Sequence, residues 1–189
     1  MKTARAFYRV RQLRYAARAR VAEQDYQFVA RFLTPQQFTL FDQMQPAEQV
    51  HSLQVARELL ELGEDSPDLL AAALLHDVGK MRQPLQLWER IWIVLGETLF
   101  PALVHRWGNT SHNSGPASFL WRPFMVAERH PQWGAELALQ AGASPLTADL
   151  IRRHHTRIEA VSRQTLTFRS SLAAPDRLLG LLQSVDDES

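Results

Sequence analysis

Residues 66–80 read Ser66-Pro67-Asp68-Leu69-Leu70-Ala71-Ala72-Ala73-Leu74-Leu75-His76-Asp77-Val78-Gly79-Lys80. Ser-Pro is a helix start: the hydroxyl accepts from the first free amides, and the proline ring fits the first turn without losing a bond. The seven residues from Leu69 to Leu75 are apolar on every side, and a helix apolar all round belongs at the centre of a fold. His76 and Asp77 follow at once, so the most buried helix hands a histidine and an aspartate to the interior.

Reading outward, Pro46 opens a helix with Val50, Leu53, Ala56 and Leu60 on one face, stopping at Gly63. Thr34-Pro35 caps a short helix through Phe38, Leu40 and Phe41. On the other side, residues 81–128 hold Trp88, Trp92, Trp107 and Trp121 and a Gly/Ser/Asn stretch at 108–115. This segment predicts a long helix from Leu85 to about Leu103, a loop and a shorter helical piece. Trp88, Ile91, Trp92, Leu95 and Leu99 recur at helical spacing with apolar surface to spare, and we expect that surplus to pack over a site entrance, a dimer contact or a membrane contact being its other uses. Helices resume from His130 to Ala141, from Ser144-Pro145 to about Arg157, and from Ala174-Pro175 to about Val185, while Val161–Ser171 reads either way. No run alternates apolar and β-branched residues with polar ones, and no Asn-Gly or Asp-Gly hairpin pair occurs. The fold class is therefore all-α.

At 189 residues, 46% hydrophobic and 22% charged, the chain suits one domain with a sizeable core. No apolar run approaches the ~18 to 20 residues of a membrane span. The absence of cysteine excludes disulfides, Cys-ligated zinc, iron-sulfur clusters and a thiol nucleophile. Any metal is left to His, Asp and Glu. Residues 1–20 carry Lys2, Arg5, Arg9, Arg11, Arg14, Arg18 and Arg20 and no acid, against a net charge of +1 for the chain. Such a segment is either a phosphate-binding arm or a basic helix docked on the acidic remainder. It lacks the continuous apolar stretch of a secretory signal, so the cytoplasm is the expected location.

The placement of the histidines is the most informative feature. Ahead of His130 at helical offsets stand Trp133, Gly134, Leu137, Ala138 and Ala141, which puts its imidazole on an inward stripe. His154 follows Leu150 by four and Ile151 by three, with His155 about 100° further round the same turn. Asp186 follows Leu182 by four and Leu179 by seven, and His51 shares a side with Val55 and Leu59. An unpartnered buried polar group costs about 1 to 3 kcal/mol, and a bare charge more. Separate hydrogen bonds are one way to meet that cost; a divalent cation would satisfy the whole set, and imidazole with carboxylate suits a transition metal better than calcium or bare magnesium. His105 and His112 are assigned to no site.

In this order, His51, His76-Asp77, His130, His154-His155 and Asp186, the chain resembles the HD superfamily of metal-dependent phosphohydrolases. His76-Asp77-Val78-Gly79-Lys80 matches the HDxGK form of HDIG-type and HD-GYP proteins. His130-Pro131-Gln132-Trp133-Gly134-Ala135-Glu136 resembles the HPxxGAE motif of that branch, and Ile151–Arg157 resembles its double-histidine motif. After His155 the chain continues Thr-Arg-Ile-Glu-Ala-Val without Gly-Tyr-Pro, which weakens a cyclic-di-GMP phosphodiesterase reading. Ala47 stands four before His51, where trinuclear relatives place a Glu, so a three-metal site is not expected.

The resemblance implies a single helical HD domain over 1–189: an amino-terminal helical extension at 1–45, then a core at 46–187 with the Trp-rich helical insertion at about 81–128. It implies one ion on His51, His76, Asp77 and Asp186, and a second bridged by Asp77 to His130, His154 and His155. One or two divalent ions, drawn from Mn, Fe, Co, Ni, Zn or Mg, would serve. The implied reaction is hydrolysis of a phosphate ester, a phosphomonoester or phosphodiester and most plausibly of a nucleotide, by a hydroxide on the metal, with Asp77 and Lys80 as the catalytic side chains. Lys80, four residues after His76, shares its helix face if the helix persists, and its ammonium would hold a phosphate oxygen. The rival reading is an HD-fold binding or regulatory module that docks a partner or nucleic acid through the basic amino-terminal helix. Nucleic-acid binding has little support, with only Phe7, Tyr8 and Tyr15 among those bases. A homodimer is compatible with either.

Overall fold

The structure is a computed structural model that describes residues 21–99, 118–156 and 174–186. The basic segment 1–20, His105, His112, Trp107 and the ambiguous segment 161–171 lie outside the described residues. The order of elements is α1 (Glu23–Val29), α2 (Pro35–Asp42), α3 (Pro46–Glu61), α4 (Pro67–Leu75), a 3₁₀ turn (Val78–Arg82), α5 (Leu87–Leu99), α6 (Ser118–Gln140), α7 (Pro145–Arg153) and α8 (Ala174–Asp186). Among the described residues there is no strand, and the fold is all-α.

The helix starts carry the expected caps. Thr34 Oγ1 accepts from Gln37 N while Gln37 Oε1 accepts from Thr34 N at 3.0 Å, a reciprocal box that satisfies two otherwise free donors. Ser66 and Ser144 cap α4 and α7 ahead of Pro67 and Pro145. Gly63, at φ +81°, closes the turn after α3, a conformation any Cβ would strain.

α4 is the axis of the molecule. Every residue from Leu69 to Leu75 is buried, and α2, α3, α7 and α8 pack around it. α6 lies across α7 and the 3₁₀ turn, and α5 leans on α6. No described helix is long and apolar enough to cross a membrane.

Four details depart from the expectations. The buried side of α3 runs through Gln49, Ser52, Leu53, Ala56 and Leu59, leaving Val50 and Leu60 half-buried. The rotation has a polar cause: Gln49 Nε2 donates to the carbonyls of Phe41 at 2.9 Å and Asp42 at 3.1 Å at the end of α2. α6 does not begin at His130 but runs through it from Ser118, with Pro123 and Pro131 inside. An interior proline costs about 3 kcal/mol; here Phe124 and Val126 before Pro131, and Ala135 and Ala138 after it, are all buried, and that packing holds both halves in one line. α4 ends at Leu75, so Lys80 sits in the 3₁₀ turn and not on a continued helix face with His76. Finally, α7 stops at Arg153 and not near Arg157, with His154, His155 and Thr156 in a turn.

The tryptophans of α5 pack against the first turns of α6. Trp88 packs on Phe119 and Trp92 on Phe124, both at 6.4 Å between ring centroids, and Trp92 Nε1 donates to Leu120 O. Arg90, close to the opposite side of α5 from both tryptophans, instead reaches Glu48 on α3 at 2.7 Å. The aromatic stripe therefore clamps α5 to the first turns of α6 and leaves Trp88, Trp92 and Phe119 exposed.

Candidate metal centre

Three helix ends and two helix interiors converge on a single polar cluster. α3 supplies His51, the end of α4 supplies His76 and Asp77, α6 supplies His130, the turn after α7 supplies His154 and His155, and the last turn of α8 supplies Asp186. His76, Asp77, His130 and His154 are buried, while His51 and Asp186 keep part of their surface open and His155 is exposed on its outer edge.

Two carboxylates stitch the imidazoles together. Asp186 Oδ1 is 2.7 Å from His51 Nε2 and 3.4 Å from His76 Nε2. Asp77 turns Oδ2 towards His76 Nε2 at 3.7 Å and Oδ1 towards His130 Nε2 at 3.3 Å. The rings form a chain: His51 and His76, His76 and His154, and His154 and His130 each lie 5.2 Å apart, and His155 lies 4.1 Å from His154 and 4.9 Å from His130.

The nitrogens tell which atom each ring offers. His76 Nδ1 donates to Ala73 O at 2.9 Å, His130 Nδ1 to Val126 O at 3.1 Å, and His154 Nδ1 to Ile151 O at 2.7 Å, each a carbonyl of the turn just before it. With Nδ1 engaged, Nε2 is the atom each ring turns to the cluster, carrying a lone pair whenever the ring is neutral. All three Nε2 atoms are buried and none makes a well-formed hydrogen bond: those of His76 and His130 only face a carboxylate oxygen, at 3.4 and 3.3 Å, and that of His154 has no partner. Native interiors seldom leave such atoms unmatched. Their convergence sorts into two groups, His51/His76/Asp77 and His130/His154/His155, whose ligand atoms lie within 4.8 Å of one another. Neutral imidazole and carboxylate at that spacing fit two divalent cations, with Asp77 reaching both groups.

Charge balance points the same way. Burial drives His130 below its ordinary value and His154 well below it, and for His154 the neighbouring imidazoles add to the effect, so both stay neutral as ligands must. Partial burial, His130 and Lys80 push His155 down to about 4, a shift that water at its outer edge opposes. His76 goes the other way: burial opposes its charge, but Asp77 and Asp186 outweigh that and raise it to about 9. Both aspartates, despite burial, are held well below the carboxylate range, Asp77 by Lys80 and His76, Asp186 by His76 and His51. The acidic pocket thus takes up a cation, if only a proton.

Stability of the metal-free protein follows with a definite sign. His76, raised from 6.5 to about 9, contributes stability that is complete below pH 6.5 and is lost as pH climbs through 9. His130, His154 and His155 are lowered, so the unfolded chain binds more protons below pH 6.5 and stability falls as pH drops from there. Thermal melts of chelated protein from pH 5 to 9 are expected to give a maximum near pH 6.5, and saturating divalent metal is expected to remove the alkaline fall. A midpoint that rises monotonically to pH 9 without metal would contradict this assignment.

Lys80 reaches the cluster from the 3₁₀ turn, its ammonium 2.6 Å from Asp77 Oδ2. Its position rests on Gly79, whose absent Cβ would stand 2.0 Å from His130 O and 2.6 Å from Gly134 N. The turn therefore touches α6 backbone to backbone. Two residues near the site escaped the sequence reading. Glu48, buried one turn before His51, pairs with Arg90 at 2.7 Å; its place three residues before His51 on an inward face was the available signal. Gln183 precedes Asp186 by the same three residues and touches the double-histidine turn.

No curated protein and no solved structure gives a significant match. A model of the HD domain does match, over residues 49–186, well over half of the chain and including every histidine and aspartate of the cluster. On that match the chain belongs to the HD domain family, whose members are in general metal-dependent phosphohydrolases.

Proposed function

We propose that this protein hydrolyses phosphate esters, those of a nucleotide, at a centre holding two divalent ions. The observation that carries the reading is the set of three buried Nε2 atoms, none in a well-formed hydrogen bond, gathered around two carboxylates. His51, His76, Asp77 and Asp186 would hold one ion, and His130, His154 and His155 the other, with Asp77 between them. When bound, such a pair lowers the pKa of water and offsets the charge that develops on phosphorus oxygens.

The chain's own residues do the rest. Helix carbonyls fix the rings of His76, His130 and His154 through Nδ1, so their Nε2 atoms are aimed before any ligand arrives. The opening lies where His51, Asp186, Lys80 and His155 keep exposed surface. Lys80, beside Asp77 at that opening, is placed to bind a phosphate oxygen, and burial around His76 and His130 excludes bulk water from the inner side.

The test is elemental analysis of protein purified without chelator or nickel affinity resin, followed by hydrolysis assays on phosphomonoesters, phosphodiesters and a nucleotide panel. About two transition ions per chain, together with metal-dependent release of product, are expected. A fully loaded protein that turns over none of these would instead be a binding module of the HD fold.

A further inference from the structure

We infer that Gln183 is a positioning residue for the second group of imidazoles, and that α8 organises both halves of the centre from one face. The inference rests on the two-ion reading above.

Consecutive residues of a helix point about 100° apart, so how well His154 and His155 converge depends on how α7 ends. α7 ends at Arg153, and a tight turn closed by Thr156 N donating to Arg153 O at 2.7 Å brings the two rings to 4.1 Å. The end of a helix leaves carbonyls without partners, and a short turn there has little of its own to hold it. Gln183 supplies the hold: its Nε2 donates to Arg153 O at 3.1 Å and to Thr156 O at 2.6 Å, the carbonyls on either side of the histidine pair. One amide thus brackets both histidines.

Three residues along the same helix, and so on the same face, Asp186 binds His51 and faces His76. Leu179, Leu182 and Val185, all buried, lock α8 against α3, α4 and α7 and leave it no freedom to rotate. A single rigid helix therefore delivers a carboxylate to the first group and the clamp to the second.

Gln183 is half-buried, so replacing it need not open the core. Two variants separate positioning from space-filling. Gln183→Leu removes both donated bonds. Gln183→Glu keeps the shape but turns carboxylate oxygens onto two carbonyls. Cobalt(II) chloride titrated into chelator-stripped protein, followed by calorimetry and by visible absorption, reads ion uptake without reference to turnover. Wild type is expected to bind two ions. Both variants are expected to keep the first with unchanged affinity and to bind the second about 10- to 100-fold more weakly, the usual cost of losing a residue that orients metal ligands. Thermal melts of the stripped proteins establish that each is folded; if Gln183→Leu is not, Gln183→Met, closer in length, takes its place.

If Gln183→Glu binds both ions as wild type does, the residue only fills space and the inference falls. It falls equally if wild type binds a single ion, since there is then no second group to position. A wild type that binds no cobalt overturns the functional reading itself.

Discussion

Replacing Gly79 by alanine is expected to destabilise the protein by about 3 kcal/mol or more, at the upper end of the overpacking range. The added carbon would stand 2.0 Å from His130 O and 2.6 Å from Gly134 N, and both obstacles are backbone atoms of α6. No rotamer change can relieve such a contact, so the 3₁₀ turn must lift off the helix. Lifting it moves Asp77 on one side and Lys80 on the other, and separates Asp77 Oδ1 from His130 Nε2, now 3.3 Å away. Loss of metal uptake should therefore accompany the loss of stability. Gly134→Ala provides the internal comparison. Its Cβ would meet Ile151 Cγ2 at 3.1 Å and Gly79 N at 3.2 Å, contacts that a shift of a few tenths of an ångström can ease. Denaturant unfolding of the two variants is expected to show at least a twofold larger loss for Gly79→Ala; equal losses would mean that the turn is not held against α6 as described.

How far the sequence could be read depended on whether the deciding interaction was local. The apolar run Leu69–Leu75 had to be central, and it is, because nothing but an interior can absorb a helix with no polar face. Stripe arithmetic placed His130, His154 and Asp186 inward because each sits three or four residues from buried neighbours on its own helix, and that local geometry survives folding. Other features are set by partners far along the chain. The position of His155 depends on where α7 stops, and Gln183, thirty residues further on, holds that stop. The buried side of α3 lies about one residue from the expected one because Val50 looks like core and Gln49 does not; the carbonyls of Phe41 and Asp42 at the end of α2, which Gln49 reaches, explain the preference. The interior Pro131 reads as a boundary by local rules, and packing on both of its sides overrides them. Arg90 is one more charged residue in a Trp-rich stretch until Glu48, 42 residues earlier, is seen opposite it.

Asp77→Asn is expected to abolish uptake of both ions and to lower phosphate-ester turnover by about 10³-fold or more, at or beyond the effect of losing one electrostatic group aimed at a transition state. Asp77 is the residue whose carboxylate faces both groups, Oδ2 towards His76 and Oδ1 towards His130. The amide keeps the shape but removes the charge, and leaves the Lys80 ammonium, 2.6 Å from Oδ2, beside a neutral partner. Net positive charge then builds up where two cations must enter. His154→Ala makes the contrast, because His154 belongs to the second group alone. It should cost one ion and spare the one on His51, His76, Asp77 and Asp186. Ion counts by elemental analysis on the two variants, with turnover measured alongside, distinguish a shared carboxylate from a ligand of one site. Asp77→Asn retaining one ion at wild-type affinity would show that the two groups are loaded independently, and the bridging role assigned to Asp77 would have to be withdrawn.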